Sequence, residues 1–438
     1  MKNLILFLGL QFLAVFAVKA QMQQSFFMDN TPVSQTYQIA MKPTWKFYIG
    51  IPLHDLNFGV HTTGANFGDL FFKESGSFTT IFDNNLSESR KLKFLNDIQS
   101  HVLMGTDIRI TPFSMGWTRG RNSFSLGISQ RLDVQMDMPR ELFRVILLGT
   151  EQMADGTDMS GTSLSLNTFT ELSFTYRREI SEAFSFAIRP KIYSGTGYIA
   201  LNGNQLSMTS LPNARLLANI TGQTAGAMQV RIENGKYRDI EFDSNGFGRN
   251  LGFGIDLAAD YQSNRLNLGA GIHDIGFIRW THNAQEYQGT GDLEIDPQEG
   301  QDFEKSLEES LQLTANPREF TTTLNAVPFF SARYDLHEAF SAGALLYGHT
   351  IGNRFKPILT LGANIQASKS LEAALTYTLR EKSYANLGAA LSARLGVFQL
   401  YLASDNLLSL INHEKANYLN IRTGLNFIMG QKAKLSNR

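Results

Sequence analysis

The sequence predicts an all-β fold: a transmembrane antiparallel β-barrel of the outer-membrane type, with about 14 strands and short helices in its outer loops. Three observations lead to this prediction. Apolar residues recur with a period of two, the strands are long, and the links between strands alternate in length. No run of ~18 apolar residues follows residue 20, so a mature chain that spans a membrane must close into a barrel.

Apolar and polar residues alternate over long stretches of the chain. In Leu371–Arg380 the odd positions carry Leu, Ala, Leu, Tyr and Leu, and residues 184–192 and 251–261 repeat the pattern. A helix would return apolar residues every three to four positions, so these stretches are strands with one apolar face. Residues 164–176 keep the period throughout. That length exceeds the ~5–6 residues usual in soluble proteins and suits the ~9–11 of a tilted membrane strand.

The links between the strands supply a second, independent signal. Long links such as 61–99 and 281–318 alternate with short ones such as 178–182 and 262–264, as in outer-membrane barrels, whose periplasmic turns are tight. A further β-like stretch at 227–232 leaves the strand count open by two. The strands are predicted to begin near Lys46, Ser100, Asn122, Gly161, Ala183, Asn250, Arg265, Phe320, Glu338, Arg354, Leu371, Ala385, Phe398 and Asn417.

Three inserts in the long links have helical spacing. Apolar residues recur every three positions in 88–99, residues 139–148 begin with Pro139, and apolar residues lie four apart in 297–313. Each insert is predicted to stand at the outer mouth, either as part of a gate or as a surface helix. Residues 292–296 offer alternating carboxylates that suit calcium, and the alternative is a solvated acidic loop.

The first twenty residues are predicted to be a secretory signal peptide. Lys2 gives a positive start, residues 4–18 are almost wholly apolar, and Ala20 offers a cleavage site. The alternative is an uncleaved anchor, for which the apolar run is short. An exported barrel predicts the outer membrane of a Gram-negative cell. The predicted units are a signal peptide (1–20), a lumenal or periplasmic N-terminal segment (21–44), a barrel (45–430) and a tail (431–438).

The composition argues against several classes of function. Lys+Arg total 39 and Asp+Glu 40, whereas nucleic-acid binding needs a surplus of cations. The chain has no cysteine, so disulfides, thiolate metal sites and cysteine nucleophiles are impossible. No metal-ligand spacing, G-x-S-x-G or phosphate loop is present. The prediction is a protein that is not an enzyme and has no cofactor or metal; a Ser/His pair joined from different strands is the enzymatic alternative.

The polar faces of the strands are predicted to line the lumen. Buried charges must be paired or hydrated. A near balance of signs predicts either ion pairs that fill the barrel or a polar path for a solute. The predicted lumen-facing charged residues are Asp107, Arg109, Arg131, Asp133, Glu171, Arg177, Arg189, Lys191, Asp256, Asp260, Glu372, Arg380, Arg394 and Arg422.

Two regions resemble a Bacteroidota outer-membrane barrel family of unknown function. Residues 26–32 (FFMDNTP) and 45–52 (WKFYIGIP) resemble its mature N-terminus, and residues 401–408 and 420–427 resemble its closing hairpin. Such families carry Asn-Pro-Ala near the N-terminus, where this chain has Gln-Ile-Ala-Met-Lys-Pro. The family is distantly similar to long-chain fatty-acid transporter barrels and to the barrel that shuttles type IX secretion substrates.

Two functions follow as expectations. One is a transporter or channel for a small amphipathic or hydrophobic solute. The other is an accessory or scaffold barrel that binds another cell-envelope or secretion protein. A membrane barrel is expected to contact outer-membrane lipid. The barrel-assembly machinery is a second expected partner, because Arg422-x-Gly424-x-x-Phe427-x-Met429 resembles an assembly signal.

Overall fold

The structure, a computed structural model, describes most of the chain after residue 22. The predicted signal peptide lies outside the described residues, as do residues 432–438 of the predicted tail. The described ranges are 23–74, 76–83, 85–148, 157–208, 214–233, 236–242, 248–295, 312–351, 354–380, 383–411 and 416–431.

Strands dominate these ranges. In chain order they are β1 (Trp45–Gly50), β2 (Asp55–Thr63), β3 (Phe71–Glu74), β4 (Ser77–Thr80), β5 (His101–Arg119), β6 (Asn122–Pro139), β7 (Thr157–Asp158), β8 (Ser163–Glu179), β9 (Phe184–Met208), β10 (Ala214–Gly226), β11 (Met228–Glu233), β12 (Lys236–Phe242), β13 (Asn250–Ser263), β14 (Leu266–Trp280), β15 (Gln285–Ile295), β16 (Gln312–Pro317), β17 (Phe320–Thr323), β18 (Val327–His337), β19 (Phe340–Ile351), β20 (Arg354–Gln366), β21 (Leu371–Arg380), β22 (Ser383–Leu395), β23 (Phe398–Ser404) and β24 (Tyr418–Gln431).

The helices of the same ranges are short. None of them is long and apolar enough to cross a membrane. They are α1 (Phe67–Leu70), α2 (Glu88–Asp97), α3 (Arg140–Leu148) and α4 (Leu407–Ile411), and two 3₁₀ turns, Gln24–Phe26 and Pro32–Thr36, precede β1.

Fourteen antiparallel barrel strands close on themselves. Their order is β1/β2, β5, β6, β8, β9, β13, β14, β17/β18, β19, β20, β21, β22, β23 and β24. β1 and β2 are two parts of one strand, because both pair with β5 on one side and β24 on the other. β17 and β18 likewise share β14. The ring leaves no edge of unpaired N–H and C=O groups, as lipid requires. The predicted closed barrel of about 14 strands is therefore confirmed.

The two faces of the barrel strands differ as the alternation predicts. Leu375 and Phe253 are 52% and 55% exposed on the outer face, whereas Thr376, the next residue after Leu375, is 2% exposed and faces the lumen. Large apolar side chains cover this outer face, so it forms the belt that contacts acyl chains in an outer-membrane barrel.

Aromatic side chains gather at the end of the barrel that carries the short turns. Trp117 stacks with Phe124, and Phe398 lies against Phe427, with ring centroids 5.3 and 4.9 Å apart. Aromatic rings concentrate at the level of lipid head groups. Short turns mark the periplasmic end of such barrels, so we call this the periplasmic end and the opposite one the outer end.

Several strands continue beyond the membrane at the outer end. β9 has 25 residues, and its outer half pairs with β10, which pairs with β15, which pairs with β16. The β-like stretch at 227–232 forms β11 in a hairpin with β12. Gln312 and Leu313 belong to β16 and pair with β15, so the third predicted helix cannot extend to residue 313. Residues 296–311, the rest of that helix and the end of the acidic stretch, lie outside the described residues.

A small apolar cap, formed by the described residues of 65–98 and by residues 140–148, stands at the outer end. α2 confirms the helix expected at 88–99, and α3 begins after Pro139, which still pairs with His101 in the β5–β6 ladder. Phe94 and Phe143 join a core that includes Met138 on the outer face of β6. The cap therefore packs against the outside of the barrel wall, beside the mouth.

We expect Leu172→Arg, on the lipid face of β8, to lower the yield of folded barrel. A cationic side chain at mid-membrane depth costs ~2–4 kcal/mol on this face. Leu172 is 40% exposed there. The matched control is Ser165→Arg on the same strand, whose side chain lines the wide outer cavity. Heat-modifiable migration in gels measures the folded fraction, and equal losses for both variants would contradict the assignment of faces.

Candidate functional site

Residues 23–44 lie inside the barrel, and we call them the plug. Phe27, Met28 and Val33 are at most 2% exposed. Gly362 gives Phe27 its place, because a Cβ at Gly362 would lie 2.5 Å from the Phe27 ring. The plug therefore packs closely against the inner face of the barrel wall.

Two lumenal arginines bind main-chain carbonyl oxygens of the plug. Arg177 Nε donates to the Ala40 oxygen at 2.8 Å, and Arg189 Nη2 donates to the Thr36 oxygen at 2.7 Å. Arg177 lies near the periplasmic turn between β8 and β9. The plug therefore occupies the periplasmic part of the lumen.

Glu372, beside another periplasmic turn, binds the plug through main-chain N–H groups. Its carboxylate accepts from the Asp29 nitrogen at 2.7 Å and from the Asn30 nitrogen at 3.0 Å, and Asn364 holds it in place at 2.8 Å. These contacts, like those of the arginines, do not depend on which plug side chains are present. Residues 38–43 differ from the Asn-Pro-Ala motif of the family, but this difference removes none of these main-chain contacts.

Arg422 joins the plug to the strands that close the barrel. Its guanidinium donates twice to Asp55, with Nε–Oδ1 and Nη2–Oδ2 distances of 2.7 and 2.6 Å, so β24 is tied to β2. It also donates to Ser25 Oγ at 2.7 Å and Tyr37 Oη at 3.0 Å in the plug. Burial raises the pKa of Tyr37 to about 12, so its hydroxyl stays protonated. Closure of the barrel and seating of the plug thus share one arginine.

A cluster of ion pairs fills one side of the lumen above the plug. Glu171 is completely buried and accepts from Arg109 Nη2 at 2.8 Å and Arg131 Nη1 at 3.1 Å. Lys191 Nζ lies 2.8 Å from Asp256 Oδ1 and 3.8 Å from Glu171 Oε2. Carboxylates and cations from β5, β6, β8, β9 and β13 thereby neutralise one another.

A β-bulge brings two further residues into this cluster. The β13–β14 ladder slips by one residue at Asp256, which faces both His273 and Asp274. Asp274 has a φ of 58°, in the left-handed region that Asp tolerates better than most residues. Its N–H donates to Asp256 Oδ1 at 2.8 Å, and its carboxylate accepts from Lys191 at 2.6 Å and Arg131 at 3.1 Å.

Sequence reasoning missed Asp274, although the sequence holds a signal for it. The exposed or outward-facing apolar residues of β14 occupy even positions from Leu266 to Ile272 and then odd positions at Ile275 and Phe277. This change of parity marks a bulge and places Asp274 inside. Asp55 was missed because it follows the interruption between β1 and β2, where the alternation is lost.

Three of the predicted residues, Asp260, Arg380 and Arg394, lie away from the ion-pair cluster. Asp260 accepts two hydrogen bonds from Asn267, at 3.0 and 3.1 Å. At the outer end, the Arg380 guanidinium lies 3.8 Å from the centroid of the Tyr418 ring. Arg394 lies at the periplasmic end and donates to two main-chain carbonyl oxygens.

A cavity lies between the plug and the ion-pair cluster, and we call it the inner chamber. Its volume is about 90 Å³. One wall is apolar and the other is charged, and the plug forms the floor. The apolar lining comprises Phe26, Val327, Phe329 and Leu345, and the charged lining comprises Asp107, Arg109, Arg131, Arg189, Lys191, Asp256 and Asp274.

A wider cavity, the outer vestibule, lies on the outer side of the inner chamber. Its volume is about 900 Å³, and it is lined by polar residues such as Asp133 and Ser165. Asp107, Arg131 and Asp274 line both cavities, so the vestibule and the chamber meet at these side chains.

Two buried donors of the chamber have no hydrogen-bond partner among the described residues. They are Arg109 Nε and Arg189 Nε, on residues that are 7% and 3% exposed. A buried donor without a partner is costly. Both nitrogens are themselves inaccessible from the chamber, whose two walls give it an apolar side and a charged side.

We expect Glu171→Gln to destabilise the barrel by about 3–5 kcal/mol, because it leaves buried cations without their carboxylate. The control is Asp133→Asn in the open vestibule, where the carboxylate accepts from Gln135 at 3.3 Å and water is near. Urea unfolding followed by intrinsic fluorescence measures both variants. Similar midpoints for the two would contradict the structural role of the cluster.

Solved structures with a similar architecture are outer-membrane barrels. They include the Ralstonia pickettii toluene transporter TbuX, 10% identical with a TM-score of 0.45, covering 92% of this chain and 94% of that one. The Pseudomonas putida toluene transporter TodX is 7% identical, with a TM-score of 0.41 and coverage of 94% and 97%. A Pseudomonas aeruginosa FadL homologue is 10% identical, with a TM-score of 0.42 and coverage of 92% and 94%.

The chain matches a protein family over most of its length. No curated protein matches the chain. The model of a family of unknown function matches residues 40–405, from within the plug to the end of β23. The expected membership in a barrel family of unknown function is thereby confirmed, while the origin in Bacteroidota and the likeness to the type IX shuttle stay predictions. Since the match covers most of the chain, this protein belongs to the family of unknown function DUF5723.

Proposed function

We propose that this outer-membrane barrel is a transporter or channel that admits a small amphipathic or hydrophobic solute from outside. The solute passes the outer vestibule and binds in the inner chamber, and the plug closes the periplasmic side. The observation that supports the proposal is the chamber itself, with an apolar wall opposite a charged one, the outer vestibule on one side and the plug on the other.

The chemistry of the chamber favours an amphipathic solute over a simple ion. The charged wall is internally paired, as in the contacts of Lys191 with three carboxylates, so its field is largely cancelled. Burying an apolar body against Phe329 and Leu345 is favourable, and a polar group of the solute faces the charged wall that includes Arg109 and Arg189.

We expect deletion of residues 23–43 to raise the conductance of the protein in planar bilayers, because it removes the floor of the chamber. The control is Arg279→Ala, which breaks an exposed ion pair with Glu319 at the outer end and leaves the plug untouched. If the deletion variant folds and conducts no more than the full chain, the barrel is closed for another reason. The accessory or scaffold alternative would then be favoured.

The chamber is tested separately with benzenesulfonate, an amphipathic probe that stays ionised. A ligand that binds only the folded state raises the melting temperature. We expect this shift in the full chain and a smaller one in Leu345→Ala, since Leu345 lines the chamber and is 1% exposed. Leu346→Ala is the matched control, because Leu346 is 49% exposed on the lipid face. Equal shifts in both variants would place the probe elsewhere.

A further inference from the structure

Three side chains stand between the inner chamber and the outer vestibule, and we call them the septum. Asp107, Arg131 and Asp274 line both cavities, whereas the other described lining residues belong to one cavity or the other. A side chain that lines two neighbouring cavities forms the partition between them. The plug lies on the opposite side of the chamber. The chamber is therefore bounded by the septum towards the outside and by the plug towards the periplasm.

The septum is also the level at which the lumen changes from dry to wet. On the chamber side, Lys191 is buried. In the septum, the side chains of Arg131 and Asp274 are 14% and 13% exposed. In the vestibule wall, the side chain of His101 is 50% exposed. Arg131 therefore borders a cavity in which water can hydrate its charge.

Arg131 holds the septum together. Its Nη1 donates to Glu171 Oε2 at 3.1 Å and to both carboxylate oxygens of Asp274, each at 3.1 Å. Its guanidinium carbon lies 5.1 Å from the centroid of the Phe169 ring. One side chain of β6 thus connects a carboxylate on β8 with a carboxylate on β14.

The ion-pair cluster stays paired when Arg131 leaves it. Glu171 keeps Arg109 at 2.8 Å, and Asp274 keeps Lys191 at 2.6 Å. Removing a cation from a buried carboxylate is costly when the carboxylate loses its last partner, and neither carboxylate does so here. Among the described cations of the cluster, Arg131 alone borders the vestibule, which has a volume of about 900 Å³. Its guanidinium can therefore move there and be hydrated.

We infer that Arg131 is the outer gate of the inner chamber. The gate is closed while Arg131 bridges Glu171 and Asp274, and it opens when the guanidinium swings into the vestibule. A solute then enters the chamber by displacing one side chain, while the strands and the plug keep their places. The inference rests on the proposed function in treating the chamber as the solute site, whereas the partition itself does not depend on any solute.

Thiol labelling measures whether the septum separates the two cavities. The chain has no cysteine, so Val327→Cys places a single thiol in the chamber wall and Ser165→Cys places one in the vestibule wall. Each full-length protein reacts in detergent with sulfonatoethyl methanethiosulfonate, a charged reagent that reaches thiols through water. We expect the chamber thiol to react more slowly than the vestibule thiol. Equal rates would overturn the inference, because the cavities would then be open to each other.

Arg131→Ala tests whether this side chain is the gate. We expect the ratio of the chamber rate to the vestibule rate to rise at least about tenfold, the factor that corresponds to the loss of one hydrogen bond to a charged group. Arg131→Lys keeps the charge but lacks the planar fork of donors, so we expect a smaller rise. An unchanged ratio in folded Arg131→Ala would overturn the inference. If that variant does not assemble, an unchanged ratio in Arg131→Lys would do so.

A thiol in the plug distinguishes an open gate from a loosened lumen. Ser34 is completely buried in the plug, so we expect Ser34→Cys to react no faster with Arg131→Ala than with Arg131 in place. A parallel rise at this position would overturn the inference. These rates involve no solute. Failure of benzenesulfonate to bind would contradict the proposed function and leave the gate, whereas an unchanged labelling ratio would contradict the gate and leave the binding of the probe.

Discussion

The lumen of this barrel is organised by the pairing of charges that are shut off from bulk water. Lys191 lies within 3.8 Å of Glu171, Asp256 and Asp274, and two arginines complete the coordination of Glu171. Removing one partner of such a buried set costs about 3–5 kcal/mol, so the side chains fix how five neighbouring strands and β14 stand relative to one another. The chamber exists because the cluster occupies only one side of the lumen and leaves the opposite wall apolar.

Side chains of the barrel wall hold the plug in place. Arg177, Arg189 and Glu372 bind its main-chain atoms, and Arg422 reaches it while tying β24 to β2 through Asp55. The same guanidinium thus closes the ring of strands and seats the plug. A barrel whose last strand has not docked lacks this contact, which couples the order of assembly to the closing of the pore.

The fold could be predicted from the sequence, because a period of two and alternating link lengths are local properties that every strand displays. The lumenal position of Glu171 follows from the same alternation. The lumenal position of Asp274 was not predicted, because one extra residue in β14 reverses the alternation of its two faces. The only sign of this bulge in the sequence is that the outward apolar residues change from even to odd positions between Ile272 and Ile275. The contacts of the plug could not be predicted at all. Arg177 binds a carbonyl oxygen 137 positions away in the chain, and no side-chain pattern marks such an acceptor.

The apolar cap gives the molecule a distinct front and back in the plane of the membrane. It packs on the outer faces of β5 and β6, whereas Leu375 on β21 and Leu391 on β22 lie on a flank where the described residues form no such cap. On the capped flank, Phe94 and Phe143 cover strand surface that includes Met138. The two flanks of the barrel therefore present different surfaces to their surroundings.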